Sequence, residues 1–257
     1  MKVKLGPAGT SGLGYEEGLK KCDELGLEAL ECEFTYGVRM SNAQAREVGK
    51  LAKELGVSLS VHAPYYINLN SKERVKVTAS KERILQSCER GHYLGAKYIV
   101  FHAGFYTGMD KELVYNNIKK EIVLLQKEIK KWDVVLAPET TGKMSQFGDL
   151  DELLRLRKET GCGICVDFAH LKARNVGKID YDSVFKKLNV LGHVHSHFAG
   201  IEWTAKGERR HLLTETKDIK ELIGYIKKYK VDITIINESP DPLGDSLKTK
   251  NVLEHLR

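Results

Sequence analysis

The chain has 257 residues, 42% of them hydrophobic and 30% charged, enough for one substantial core under a well-solvated surface. Its formal net charge of +6 excludes the dense basic footprint of a histone-like binder while permitting an anionic substrate. No run approaches the ~18 consecutive apolar residues of a membrane helix, and Met1–Leu5 enters a strand pattern without the apolar region of a signal peptide, so no membrane partner and a cytoplasmic location are expected.

Short β-rich runs alternate with longer amphipathic stretches. Val3–Leu5 reads as a strand, followed by a glycine-rich turn and helical spacing from Glu16 to Leu25. Glu28–Phe34 is a strand, Gln44–Leu55 a helix, Val57–His62 a strand, Glu82–Leu94 a helix and Lys97–His102 a strand. Lys111–Lys131 is a long helix, Val134–Glu139 a strand, Asp151–Glu159 a helix and Gly163–Asp167 a strand. Asp182–Leu188 is a short helix, Leu191–His197 a strand, Lys217–Tyr229 a helix and Asp232–Glu238 the last strand. Lys250–Leu256 closes as a helix. Glycines at 26, 56, 95 and 161 stop four of the helices. Eight strands alternating with helices imply a parallel sheet. In one domain-sized chain, 1–257, this favours an α/β fold closed as a single (β/α)8 TIM barrel. Tyr65–Lys81 and Phe198–Thr216 are the loops of unusual length, and such loops are often functional.

The metal-ligating residue types fall at the strand ends. They are His62, His102, Glu139, Asp167 with His170 three residues on, the trio His193, His195 and His197, and Glu238. In a (β/α)8 barrel all these ends meet at the C-terminal face, where active sites lie. One histidine at a strand end is more often a satisfied polar residue than a ligand. Six consecutive strands ending in imidazole or carboxylate are another matter, because such groups converging without a cation would repel or stay unpaired. Their number exceeds what one tetrahedral ion can use, so two or three ions are expected, which suits phosphodiester cleavage. On the seventh strand, alternation puts His193, His195 and His197 on one face. His195 is taken as the ligand, and His197 as a group that supports the ligands or contacts phosphate. The five cysteines have no disulfide spacing, and Cys162 and Cys165 read as buried strand residues.

The motifs His62-Ala63-Pro64-Tyr65-Tyr66-Ile67-Asn68-Leu69, Phe101-His102-Ala103-Gly104, Glu139-Thr140-Thr141-Gly142, Val166-Asp167-Phe168-Ala169-His170 and Asn237-Glu238-Ser239-Pro240 together make the chain resemble endonuclease IV. These are the abasic-site endonucleases of the xylose-isomerase-like barrel superfamily. The resemblance implies a zinc cluster of up to three ions. His62 and His102 would hold the first, Glu139 would bridge the first and second, Asp167, His195 and Glu238 would complete the second, and His170 and His211 would hold the third. It implies a monomer acting on double-stranded DNA. Glu139 and Glu238 would serve catalysis, and hydrolysis 5′ to an abasic site would leave a 3′-hydroxyl and a 5′-deoxyribose phosphate. Tyr65, Tyr66 and Arg39 stand where that family meets DNA. The family's Asp-x-His pair at the third ion is missing, since Arg209 stands two before His211. Glu208, in an E-x-x-H spacing, is the substitute candidate.

The main rival is a sugar isomerase or epimerase of the same superfamily, whose single divalent ion needs only Glu139, Asp167, His195 and Glu238. His62, His102, His170 and His211 exceed that need. A barrel that binds nucleic acid or metal without turnover would be expected to have lost ligands, whereas this chain keeps nearly all.

Overall fold

Strands buried on both faces need helices outside them, and the apolar runs of this chain supply both layers. The computed structural model describes residues 1–256. The chain order is β1 (Val3–Pro7), α1 (Tyr15–Glu24), β2 (Ala29–Glu33), α2 (Asn42–Glu54), β3 (Ser58–His62), α3 (Arg74–Leu94), β4 (Tyr98–Phe101), α4 (Lys111–Glu128), β5 (Val135–Pro138), α5 (Leu150–Thr160), β6 (Cys165–Asp167), α6 (Phe168–Arg174), α7 (Tyr181–Leu188), β7 (Val194–Phe198), β8 (Gly200–Thr204), β9 (Gly207–Leu212), α8 (Thr216–Tyr229), β10 (Ile233–Asn237) and α9 (Pro242–His255).

Strands β2, β3, β4 and β5 pair in parallel order, and β1, β10, β7 and β6 form the other half. Two seams close the ring. At one, Ala8 bridges Glu31 and the Gly9 N–H donates to the Glu31 carbonyl at 2.9 Å; at the other, Glu139 bridges Cys165 and the Thr140 N–H donates to the Cys165 carbonyl at 3.0 Å. The product is the TIM barrel expected from the alternation. Gly6 permits the first seam, since a Cβ there would lie 1.8 Å from the Ala29 carbonyl oxygen. The main core is the ring of apolar side chains between strands and helices. Inside the barrel only Val100, Ala137 and Cys165 cluster, with Tyr98 against them. All five cysteines are buried and unbridged. Among the described residues no helix is long and apolar enough to cross a membrane.

Several elements differ from expectation, for chemical reasons. Helix α3 begins at Arg74, within the stretch read as a loop. Its buried face there includes Ser80 and Ser87, whose hydroxyls donate to the Lys76 and Arg83 carbonyls, so the apolar period is interrupted. Helix α9 begins at Pro242, capped by Asp241, and its first turns escaped the apolar period because its buried positions include Asp245, Ser246 and Thr249. Helix α6 is short and is capped by the Asp167 side chain, which accepts the His170 N–H at 2.8 Å. The long stretch after β7 is the antiparallel hairpin β8–β9.

Candidate metal centre

Period-two alternation carries each strand's last inward residue to the same mouth of the barrel. Among the described residues five groups have ligand atoms within 4.8 Å of one another; three of them join the sequence-predicted residues, namely His62, His102 and Glu139; Glu139, Asp167, His197 and Glu238; and Asp167, His170 and His211, while the others are Glu31, Glu33 and Glu238, and Cys165, His195 and His197. Of the former three, Glu139 belongs to the first two and Asp167 to the last two, so the carboxylates stand between positions as bridging groups would.

In the first group, His62 Nδ1–H donates to the Ala63 carbonyl at 2.8 Å. That fixes the tautomer and turns Nε2 inward, 3.3 Å from Glu139 Oε2. His102 Nε2 lies 2.9 Å from the same oxygen.

The second group contains His197 where His195 was expected. Asp167 registers with His197, while His195 registers with Cys165, two residues deeper. His197 Nδ1 lies 3.2 Å from Glu139 Oε1 and 3.3 Å from Glu238 Oε1. His195 instead approaches Glu31 Oε2 at 3.1 Å and stacks on Tyr98 with ring centres 4.9 Å apart. His195 therefore lies below the ligand layer. Period-two reasoning placed the three histidines on one face and could not say which rung is level with Asp167.

The third group is completed by an irregular strand. In a regular strand, residues three apart face opposite sides, so Glu208 and His211 would not meet. The pairing of β8 with β9 shifts here: Glu202 pairs with Arg210 and Trp203 with Glu208. Arg209 is thus the extra residue of a β-bulge, which restores a common face. His211 Nδ1–H donates to the Glu238 carbonyl at 3.0 Å and His170 Nδ1–H to the Thr140 carbonyl at 2.9 Å. The two Nε2 atoms then face each other at 3.4 Å, and Glu208 Oε2 lies 3.5 Å from His170 Nε2. Two ring nitrogens facing each other beside a carboxylate need either a proton or a metal cation between them, and a divalent ion would satisfy all three groups at once. Gly142 makes the space, since a Cβ there would lie 2.6 Å from the Glu208 Cβ.

Electrostatics agree with this fit. Burial pushes the Glu139 carboxyl up, but His102 and His197 overrule it and hold it well below the carboxylate range. Burial lowers His170 and His197, yet Asp167 and Glu139 raise the first, and Cys165, Glu238 and Glu31 raise the second, both well above the usual imidazole range. The raised proton affinity of these imidazoles answers the buried carboxylate charge around them. Asp167 Oδ2 remains buried with no hydrogen-bond partner, a state that divalent ions would relieve.

A cavity of about 400 Å³ opens over the cluster, lined among others by Tyr65, Lys143, Gln146 and Glu208. Tyr65 packs edge-on to His62 with ring centres 5.6 Å apart. Tyr66 is 65% exposed beside it and does not line that cavity. Arg39 lines a separate cleft with Tyr36 and Glu33. Sequence reasoning missed Glu31 and Glu33, although their spacing in β2 signals a shared face. Glu31 Oε1 lies 2.7 Å from His197 Nε2 in an ion-pair contact, on the side of the ring away from Glu139 and Glu238. Glu33 is pushed up to about 8 by burial, and then by Glu31 and Glu238 against the pull of His62.

Comparisons with known proteins bear on the family and the fold. A family model described as xylose isomerase-like TIM barrel matches residues 19–257. An uncharacterized protein of Methanocaldococcus jannaschii is 40% identical over 251 residues, covering 90% of this chain and 91% of that one. A probable endonuclease 4 of Mesomycoplasma hyopneumoniae is 35% identical over 118 residues, 43% of this chain and 41% of that protein. Among solved structures, SacUVDE superposes with a TM-score of 0.76 at 17% identity, over 96% of this chain and 88% of that one. Endonuclease IV from Thermus thermophilus gives 0.71 at 20%, over 99% and 98%. D-psicose 3-epimerase gives 0.69 at 15%, over 100% and 97%. At these identities the structural likeness concerns the fold alone.

Proposed function

The chain belongs to the family of xylose isomerase-like TIM barrels, and from that premise we propose that it is a zinc-dependent endonuclease that hydrolyses DNA 5′ to abasic sites, working in the cytoplasm as a monomer. The observation that carries this reading is the imidazole pair His170–His211 beside Glu208, together with His62 and His102 on Glu139. These are two ligand sets beyond the one that a single-ion sugar enzyme requires.

His62, His102 and Glu139 would hold one zinc ion, with Glu139, Asp167, His197 and Glu238 around a second and His170, Glu208 and His211 around a third. Bound there, the ions supply positive charge that makes water a stronger nucleophile and neutralises a departing oxyanion. The chain's own groups do the rest. Glu238, partly open to the cavity, accepts the proton of the attacking water. Lys143 at the rim holds a phosphate oxygen and Tyr65 stacks on a displaced base or sugar. Arg39 and Tyr66 would contact the flanking duplex. As the water oxygen bonds to phosphorus the P–O3′ bond breaks, and O3′ takes up a proton from solvent, leaving a 3′-hydroxyl on one fragment and a 5′-deoxyribose phosphate on the other.

The test is a duplex with one synthetic abasic site, incubated with zinc-loaded protein. Cleavage 5′ to the lesion, abolished in a folded Glu139→Gln variant, is the expected result; cutting no faster than that of intact duplex would falsify the assignment. A second reading has one observation in its favour. Glu139, Asp167, His197 and Glu238 by themselves make a four-ligand set for one divalent ion, as a sugar epimerase would use. One bound ion per chain, with turnover of a ketose, would establish that reading instead.

A further inference from the structure

We infer that the opposite, N-terminal mouth of the barrel is a binding site for a phosphate-class oxyanion. Barrel interiors of this kind are ordinarily filled by branched aliphatic side chains. Here the alternation that ends in His62 places Ser60 and Ser58 beneath it, and the one that ends in His197 places His195 and His193 beneath it. The result is a cavity of about 370 Å³ at the N-terminal strand ends, lined by Lys2, Lys4, Ser58, Lys97, His193 and Thr234, among others. His193 lies four residues before His197, roughly 13 Å along an extended strand. The buried His195–Glu31 pair lies between this mouth and the metal centre, so the two sites are separate.

The charge around the cavity is unbalanced. Lys4 Nζ donates to Ser58 Oγ, and among the described residues neither Lys4 nor Lys2 has a carboxylate within ion-pair reach of its ammonium group. Lys97 meets Asp133 at 3.4 Å, where both side chains are largely in water. The one carboxylate among the lining residues, Asp232, accepts the Lys2 backbone N–H at 2.6 Å. The floor is polar and buried: Ser60 and His195 are each 3% exposed and Thr234 is 7%. His193 Nε2 lies 3.0 Å from Thr234 Oγ1. Desolvation and the charges of His195 and Lys4, against the pull of Asp232, push His193 below its usual range, as an electropositive pocket would. Like charges around a partly desolvated cavity repel, and a bound dianion with tetrahedral oxygens would relieve that while accepting from Lys4, Lys97 and Ser58. Free phosphate and the phosphate group of a nucleotide share this chemistry, and the cavity has room for an attached sugar.

The test follows the His193 and Tyr98 ring signals by NMR in the metal-loaded protein, titrated with inorganic phosphate and, separately, with a nucleoside 5′-monophosphate. Saturable shifts are expected, and Lys4→Met/Lys97→Met should weaken them about tenfold or more while abasic-site cleavage is unchanged. Equal affinity for the two probes identifies the free ion as ligand; tighter binding of the monophosphate identifies a nucleotide. Phosphate held at the metal centre instead would move the His62 and His102 rings and survive the double variant. Shifts confined to those rings, or shifts at His193 that the double variant leaves intact, overturn the proposal. Should the double variant fail to fold, Lys4→Gln alone carries the same readout.

Discussion

At the scale of single residues, one rung on β7 separates the proposed ligand His197 from His195 beneath it. His197→Ala removes a donor from the Glu139–Asp167–Glu238 group, and elemental analysis should find one ion fewer per chain. His195→Ala should retain the full count, because its ring faces Glu31 and Tyr98. Glu31→Gln removes the carboxylate paired with His197 and should weaken metal binding about 10- to 100-fold. The pH response depends on the ion. In chelator-treated protein, burial lowers His62 but its bond to Glu139 and the charge of Glu33 raise it further, from 6.5 to about 10. A histidine raised in the folded state stabilises fully below its unfolded value, and that contribution is lost as pH rises through the folded one. The melting temperature of metal-free protein should therefore fall between pH 6.5 and about 10. Stabilisation by added zinc should grow over the same range, because ligating imidazoles must be deprotonated. A metal-free protein whose stability is flat across this interval would contradict the His62–Glu139 pairing.

At the scale of elements, the β8–β9 hairpin shows how a strand defect builds a site. Arg209 is the bulged residue. Deleting it leaves Glu208 and His211 two apart on a regular strand, still on one face, so metal content should be retained. Glu208→Ala should lose the third ion, and a deletion variant that loses metal as fully as Glu208→Ala would refute the bulge as the device. Helix α7 anchors its side of the barrel through Phe185, fully buried with ring centres 5.6 Å from Phe168 and 5.9 Å from Tyr229. Phe185→Ala should cost about 3–5 kcal/mol in denaturant unfolding, the range for emptying a packed aromatic site, without altering the ligand set.

At the scale of the whole molecule, the closed ring of strands is what makes a centre from distant residues. His62 and Glu139 are 77 positions apart, and His195 and Glu31 are 164, yet each pair is in contact because the barrel returns every strand to the same two mouths. One mouth gathers carboxylates and imidazoles, and the other gathers ammonium groups around Lys4 and Lys97.

By itself the sequence determined the alternation of strands and helices, hence the barrel, and it placed His62, His102, Glu139, Asp167, His170 and Glu238 at strand ends that must converge. These are local properties: apolar period, glycine stops, and residue type at the last inward position. Only the tertiary structure decided that His197 rather than His195 is level with Asp167, because register between strands is set by pairing across the barrel. It alone joined Glu208 to His211, since a bulge is defined against a partner strand. Helices α3 and α9 extended beyond their apolar signal because serines and a threonine on their buried faces bond to carbonyls four residues earlier, while the buried Asp245 accepts the Thr214 N–H, a contact formed only once the fold is complete.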